Sequence, residues 1–231
     1  MKITSLNLRQ GGGPRIGALS DWLLKTESDV LVCSEFCRNR AGSVLAEALE
    51  LGGFKGFVSK TRTTREYGVA VFARGDPSPL DLKTADVDVG RIVGCIIGGV
   101  SIAGVYFAQK DAKRTLFEFL LSPQNGLGDN HLVIGDFNTG LHYLDEDGAT
   151  FSCADQFKEL TNSGFVDLWR KTNGAKTREF SWVSNRGGQY RIDHAFATKA
   201  ISDRMSRCQY DHSTRPKLTD HSALSVEFHS T

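Results

Sequence analysis

Short apolar runs punctuate this chain, and most of them stop at a polar cluster. Runs over 3–7, 30–34 and 132–136 are too short for amphipathic helices and read as buried strands. Helical spacing takes over at 15–25, where Ile16, Leu19 and Leu23, with Trp22 and Leu24, follow the flexible loop Gly11-Gly12-Gly13-Pro14. A short helix is predicted over 43–51, stopped by Gly52-Gly53. Strands over 54–59 and 68–73 are joined by a basic, threonine-rich loop. Runs over 92–97 and 100–107 flank Gly98-Gly99, a strong two-residue hairpin signal. An amphipathic helix over 111–121 turns Leu116, Phe117, Phe119 and Leu120 inward, and another over 153–162 ends at Gly164. Short strands follow at 180–183, 191–197, 208–210 and 222–228. Helices and mostly hairpin-joined strands interleave without a Pro/Ser-rich linker, so the pattern predicts one α/β domain over 1–231.

The polar clusters that close the runs carry the candidate chemistry. In Gly135-Asp136-Phe137-Asn138, Phe137 separates two polar residues, so period-2 alternation sends Asp136 and Asn138 to one face. An ionised Asp at the mouth of an apolar strand needs a partner, and a bound cation is one. An Asx-type turn is the competing reading, and this motif by itself leaves both open. Similar clusters stand elsewhere: Asn7 closes the first run, Glu35 follows the second, and Asp193-His194 and Asp220-His221 come near the end. Recurrence on one strand-end pattern exceeds what turns alone would produce. Hard oxygen donors favour Mg²⁺ or Mn²⁺ over zinc, and no Cys or His pair has zinc-ligand spacing.

Composition narrows the picture only a little. The 231 residues suffice for one sizeable domain. With 28 Lys and Arg against 27 Asp and Glu, no global basic field announces nucleic acid. Local groups remain: Arg38, Arg40, Lys55, Lys60, Arg62 and Arg65 against Glu47 and Glu50, then Arg204, Arg207, Arg215 and Lys217. They read either as a solvated surface or as a phosphate-facing rim. No apolar segment approaches the roughly 18 residues of a membrane span. The first strand begins at Met1-Lys2-Ile3, which leaves no room for a secretory signal. Five cysteines scattered through apolar runs read as reduced core residues, so a cytoplasmic location is expected.

Taken together, Asn7, Glu35, Gly-Asp-Phe-Asn at 135–138, Arg-Ile-Asp at 191–193 and Asp220-His221 resemble the endonuclease/exonuclease/phosphatase superfamily, which includes exonuclease III, abasic-site endonucleases and deoxyribonuclease I. The resemblance runs in the family's order from Asn7 to His221. It implies a four-layer α/β sandwich: two facing, mostly antiparallel sheets with helices outside. It also implies Mg²⁺ or Mn²⁺ held by Glu35, with Asp220, direct or through water, and Asn7 as further metal-site residues. Asp136 would orient or deprotonate the attacking water. Asn138 and Asn7 would donate to the phosphate or hold neighbouring carboxylates. His221 would contact a phosphate oxygen while Asp193 holds its imidazole. Tyr106 matches the tyrosine that the exonuclease III branch places on the scissile phosphate, although Ala108 stands where a proline often follows. Arg9 occupies a position where that branch carries an acidic or amide residue; it argues against a metal at that corner and for an anionic substrate. Trp182, Tyr190 and Ile192 match positions lining an abasic-sugar pocket, and plain core packing is the alternative.

The function implied is a metal-dependent nuclease acting on DNA, expected as a monomer without membrane attachment. Two other readings remain: hydrolysis of a small or lipid-linked phosphate, since fold does not fix substrate, and a binding module without catalysis. Every catalytic cluster is intact, which disfavours the last.

Overall fold

The computed structural model describes residues 1–83 and 90–229. The chain opens with β1 (Lys2–Asn7) and α1 (Ile16–Lys25), which buries Leu19, Ser20 and Leu23. β2 (Val30–Cys37) follows, then α2 (Arg40–Leu51). This helix starts earlier than its apolar spacing indicates, because the Asn39 side chain accepts from the Gly42 amide and caps it there. β3 (Lys55–Val58), β4 (Tyr67–Ala73) and the short β5 (Ser78–Pro79) come next. β6 (Ile92–Ile97) and β7 (Val100–Tyr106) form the expected hairpin, with both turn glycines at positive φ, 56° and 75°.

α3 (Arg114–Leu121), β8 (His131–Asp136) and α4 (Ala154–Asn162) continue the chain. After them come β9 (Val166–Asp167), α5 (Leu168–Asn173), β10 (Trp182–Val183) and β11 (Gln189–Tyr190). β12 (Asp193–Ala197), α6 (Lys199–Ser202), β13 (Met205–Asp211) and β14 (Ala223–Phe228) complete it. The pattern of apolar positions does not show β5, β9, α5 or α6, which are too short to display a period. α5 is nevertheless well specified: Asp167 caps its first turn, and Trp169 is fully buried.

Two six-stranded sheets result, ordered β13-β14-β1-β2-β4-β3 and β5-β6-β7-β8-β12-β9. Each has one parallel pair at its centre, β1 with β2 and β7 with β8, and antiparallel neighbours elsewhere. Ile3, Val30, Val32, Val69 and Val71 from one sheet pack on Ile102, Leu132, Ile134 and Ala195 from the other. Outside the first sheet, α1 and α2 bury Leu19, Leu23, Leu45 and Leu49. Outside the second, Leu116 and Phe117 of α3 and Phe157 and Leu160 of α4 pack on Val105, Val133 and Phe196. This is the four-layer α/β sandwich. Each fully buried aliphatic or aromatic side chain contributes roughly 1.5–3 kcal/mol, so the middle of the sandwich is stiff.

That stiffness matters because the ends of the parallel pairs meet. The Ser34 hydroxyl donates to the Val105 carbonyl (3.0 Å) and ties β2 to β7, while the Asn7 amide donates to Asp136 (2.8 Å) and ties β1 to β8. Gly135 lets β7 and β8 lie close at this end of their sheet: a Cβ there would lie 2.0 Å from the Val105 carbonyl oxygen. No helix among the described residues is long and apolar enough to cross a membrane.

Candidate active site

β2 does not end at Glu35. It runs on to Cys37, and the register with β4 shifts between Ser34 and Phe36. Glu35 is the extra residue of this bulge, with φ 56°, so Ser34 and Phe36 stay buried while the carboxylate is turned out of the sheet. Its oxygens accept from the Asn7 amide (3.2 Å) and from the Gln10 backbone N–H. Asn7 thus brackets Glu35 and Asp136 with one NH₂ group, and its own carbonyl oxygen accepts from the Arg9 backbone (2.8 Å).

Asp136 ends β8. Phe137 turns into the aromatic cluster with Phe107 (4.6 Å, stacked) and Phe157, and Asn138 adopts a left-handed conformation with φ 51°. The two polar residues do face one cleft, through a turn rather than continued strand. Asn138 is gripped on every polar group. Its N–H donates to Asp136 (2.8 Å), its NH₂ to the Phe107 carbonyl (2.8 Å), and its side-chain oxygen accepts from Gln109 (2.6 Å). Its backbone carbonyl accepts from Lys113.

Asp193 opens β12 opposite Asp136, and its carboxylate lies 2.8 Å from His221 Nδ1. Chemistry at the imidazole therefore falls to Nε2. Asp136, Asp193 and His221 bring ligand-type atoms within 4.8 Å of one another, but the Asp193–His221 bond marks that pair as an oriented imidazole. Burial pushes Asp136 well above the usual carboxylate range, helped by Asp193 and opposed by His221, the Asn138 N–H and the Asn7 amide. Burial opposes the charge on His221, yet Asp193, its hydrogen bond, Asp136 and Asp220 outweigh it and raise the imidazole pKa. Asp220 accepts from the Trp182 indole (3.0 Å) and lies 3.7 Å from Arg9.

Glu35, Asp136, Asn138, Asp220 and His221 line one cleft of about 430 Å³ with Arg9, Trp182, Tyr190 and Ile192. Trp182 and Tyr190 stand 5.4 Å apart on the β10–β11 hairpin, so the apolar trio forms part of the wall and not only core. Asn7, Asp193 and Tyr106 lie beneath. Tyr106 pairs with Asp136 across β7 and β8 under the Arg91 guanidinium (5.1 Å). Burial, with Glu35 and Asp136 nearby, pushes its hydroxyl pKa up, so it stays protonated. Of the two basic groups seen in the sequence, only Arg215 reaches this region, in an adjoining groove; the cations lining the cleft are Arg9, Lys110 and Lys113.

Several supporting residues have no role assigned by the sequence, although Arg191 stands in one of its motifs. Lys113 is only 2 % exposed, and burial pushes its ammonium down to about 8. Arg15 donates to the Leu8, Arg9 and Leu218 carbonyls and staples the Asn7 loop to the Asp220 loop. The Thr219 hydroxyl donates to Asn7 O (2.8 Å), and the Ser181 hydroxyl accepts from the Ile192 and Asp193 amides (3.0 and 3.1 Å). Arg191 is fully buried between Asp145 and Asp167 (2.6 Å each) and anchors the strand that carries Asp193.

Does this site fit a divalent cation? Glu35 and Asp136 present hard oxygen donors at one end of the cleft, and burial makes the Asp136 charge costly without a compensating cation. The Asp193–His221 pair lies beside Asp136 and the Arg9–Asp220 pair on the cleft wall, and among the described residues no ion pair engages Glu35. The donor set fits.

Two facing sheets that gather acids, an amide and an oriented imidazole at one edge define a hydrolase of phosphoric esters. Residues 4–221 match the sequence model of the Endonuclease/Exonuclease/phosphatase family, and the chain belongs to that family of metal-dependent phosphoric ester hydrolases. Solved structures share the fold over the whole of both chains. A 3′ phosphatase from Neisseria bound to a product DNA hairpin superposes with TM-score 0.82 at 21% identity. An AP endonuclease from Archaeoglobus fulgidus gives 0.82 at 19%, and a 3′-5′ exonuclease from Neisseria meningitidis 0.82 at 22%.

Proposed function

We propose that this chain is a Mg²⁺- or Mn²⁺-dependent nuclease that hydrolyses DNA phosphodiester bonds, with exonuclease III-like or abasic-site cleavage as its specific forms. One observation carries the reading: residues far apart in sequence, Asn7, Glu35, Asp136, Asn138, Asp193, Asp220 and His221, meet at one cleft whose cations, Arg9 and Lys110, suit a polyanion. The similar structures described as a 3′ phosphatase, an AP endonuclease and a 3′-5′ exonuclease point the same way. Five free, buried cysteines accord with the reducing cytoplasm, where the chain would act as a single-domain monomer.

Glu35 is the principal metal ligand in this reading, and Asp220, whose oxygens already meet Trp182 and Arg9, acts through water. A bound divalent ion supplies charge stabilisation on the phosphate oxygens. Asn7 brackets the two carboxylates through its NH₂ group, and its carbonyl oxygen, which accepts from the Arg9 backbone, keeps a second lone pair for the cation. Asp136, held high in pKa by burial, takes a proton from the attacking water. His221, kept charged and aligned by Asp193, donates through Nε2 to a phosphate oxygen. Asn138 holds the Asp136 loop in place, its polar groups being engaged, and Tyr106 supports the floor as a neutral donor. Trp182, Tyr190 and Ile192 receive the sugar next to the scissile phosphate.

A phosphatase or phosphodiesterase for a small or lipid-linked phosphate is the second reading, favoured by one observation: most of the surface arginines lie away from the cleft. Labelled duplex, single-stranded and abasic DNA, incubated with Mg²⁺ or Mn²⁺ and with chelator, tests the first. Metal-dependent cleavage that disappears in Glu35→Ala is the expected result; turnover of small esters alone would refute the nuclease assignment.

A further inference from the structure

A groove of about 610 Å³ adjoins the cleft, and Arg9, Asn185 and Asp220 line both. Its volume lies within the roughly 300–1,000 Å³ usual for small-ligand sites. We propose that this groove is a second nucleotide subsite, which holds the nucleoside and phosphate adjoining the scissile bond; the inference rests on the nuclease reading and makes it specific to a polynucleotide.

The groove is lined by two acids and two arginines, so its preference rests on which of them are already engaged. Both acids in the groove are engaged: Glu179 accepts from His212 Nε2 (2.8 Å), and Asp220 from the Trp182 indole with Arg9 alongside. The cations have capacity to spare. His212 Nδ1 meets the Ser222 hydroxyl and Arg215 Nη2, both at 2.7 Å, which fixes the ring with its proton on Nε2. Arg215 Nη1 is buried in the groove wall with no hydrogen-bond partner among the described residues, and Arg9 is 42% exposed at its side chain. An unsatisfied guanidinium donor and a half-free arginine call for an anion such as phosphate.

The remaining walls suit a nucleobase. Phe180 and Val183 are half-buried and Pro216 is exposed, so they offer apolar surface for a base to lie against. Gln189 and Asn185 are exposed carboxamides, which can donate and accept at a base edge. The Arg9–Asp220 bridge forms the ridge between the two depressions. A strand whose phosphate sits beside Glu35 and His221 meets the groove at its next residue, whereas a small monoester has nothing to place there.

Stacking of a base on such a surface is worth roughly 1–3 kcal/mol, so loss of the subsite changes specificity about 10-fold or more. The test compares kcat/KM for a DNA oligonucleotide with that for bis(p-nitrophenyl) phosphate, which has no adjoining nucleotide. Val183→Trp fills the groove, and Gln189→Ala removes an exposed donor with no call on folding. The expected result is a fall of about 10-fold in the oligonucleotide-to-ester ratio for Val183→Trp and a smaller one for Gln189→Ala. Arg215→Gln, which keeps a donor toward His212, should lower the log–log salt slope of oligonucleotide affinity, measured by anisotropy with chelator present, by about 0.9. An oligonucleotide-cleaving enzyme whose ratio and salt slope stay unchanged in these variants overturns the subsite alone. A wild-type chain that hydrolyses only the small ester overturns the nuclease reading and the subsite together.

Discussion

Acid should weaken this fold through His194, and the effect can be worked from its surroundings. The ring lies fully buried in a T-shaped contact with Phe137 (5.4 Å) and packed on Phe157 (4.5 Å), and Nε2 donates to the Thr139 carbonyl (2.8 Å). It therefore props the loop that carries Asp136 and Asn138. Nδ1 has no partner among the described residues, so protonation would bury a second N–H without an acceptor. Burial, then the nearby Arg191 cation, lower the pKa from 6.5 to about 4, against the pull of Asp145, Asp167 and the Thr139 carbonyl. That difference corresponds to about 3 kcal/mol, at roughly 1.4 kcal/mol per pH unit. The unfolded chain binds this proton more readily, so stability is complete above pH 6.5, falls as pH drops toward 4, and changes no further below.

Asp136 works in the opposite direction. Its raised pKa gives stability at low pH that is lost as pH rises through the folded value. The informative quantity is consequently the difference between wild type and His194→Gln, whose amide can still donate to Thr139. Urea unfolding at pH 7, 6, 5 and 4 should show wild type losing about 3 kcal/mol relative to the variant across that range. Parallel curves for the two proteins would refute the argument.

At the cleft, Asp136→Asn and His221→Ala should each lower kcat by at least about 10²-fold, with circular dichroism confirming an unchanged fold. Asp193→Ala, which frees the His221 ring, should cost roughly 10- to 100-fold in kcat/KM; full activity would remove its orienting role. Arg191→Met leaves the buried Asp145 and Asp167 with Arg170 as their one remaining shared cation and should destabilise by about 3 kcal/mol, the low end for breaking a buried pair, in urea titration. Glu35→Gln should weaken Mg²⁺ or Mn²⁺ binding in calorimetry while leaving thermal unfolding of the chelator-treated protein near wild type, since Glu35 sits on a bulge outside the core.

The apolar rhythm of the chain made much of the fold legible. Period-2 and helical spacing showed the β6–β7 hairpin at Gly98-Gly99, the inward face of α3 and the strands closing at Asn7 and Asp136. These features are local: burial on one or two faces is written into neighbouring residues. Short elements such as β9 and α5 stayed invisible because two to six residues cannot express a period, and they are held by the Asp167 cap, the buried Trp169 and the distant Arg191.

The sequence by itself determined the chemical cast: which carboxylates, carboxamides and imidazole stand at strand ends, and, through their order, the family. Only tertiary structure decided their parts. The bulge that turns Glu35 outward, the commitment of Asn138 to Phe107, Gln109 and Lys113, and the burial of Lys113 all depend on contacts between residues far apart in the chain. So does the meeting of the β1 and β8 ends through Asn7 and Asp136, 129 positions apart. Periodicity reports which side of an element faces inward; it carries no information on which other element waits there, and that choice fixes charge, exposure and pKa at the cleft.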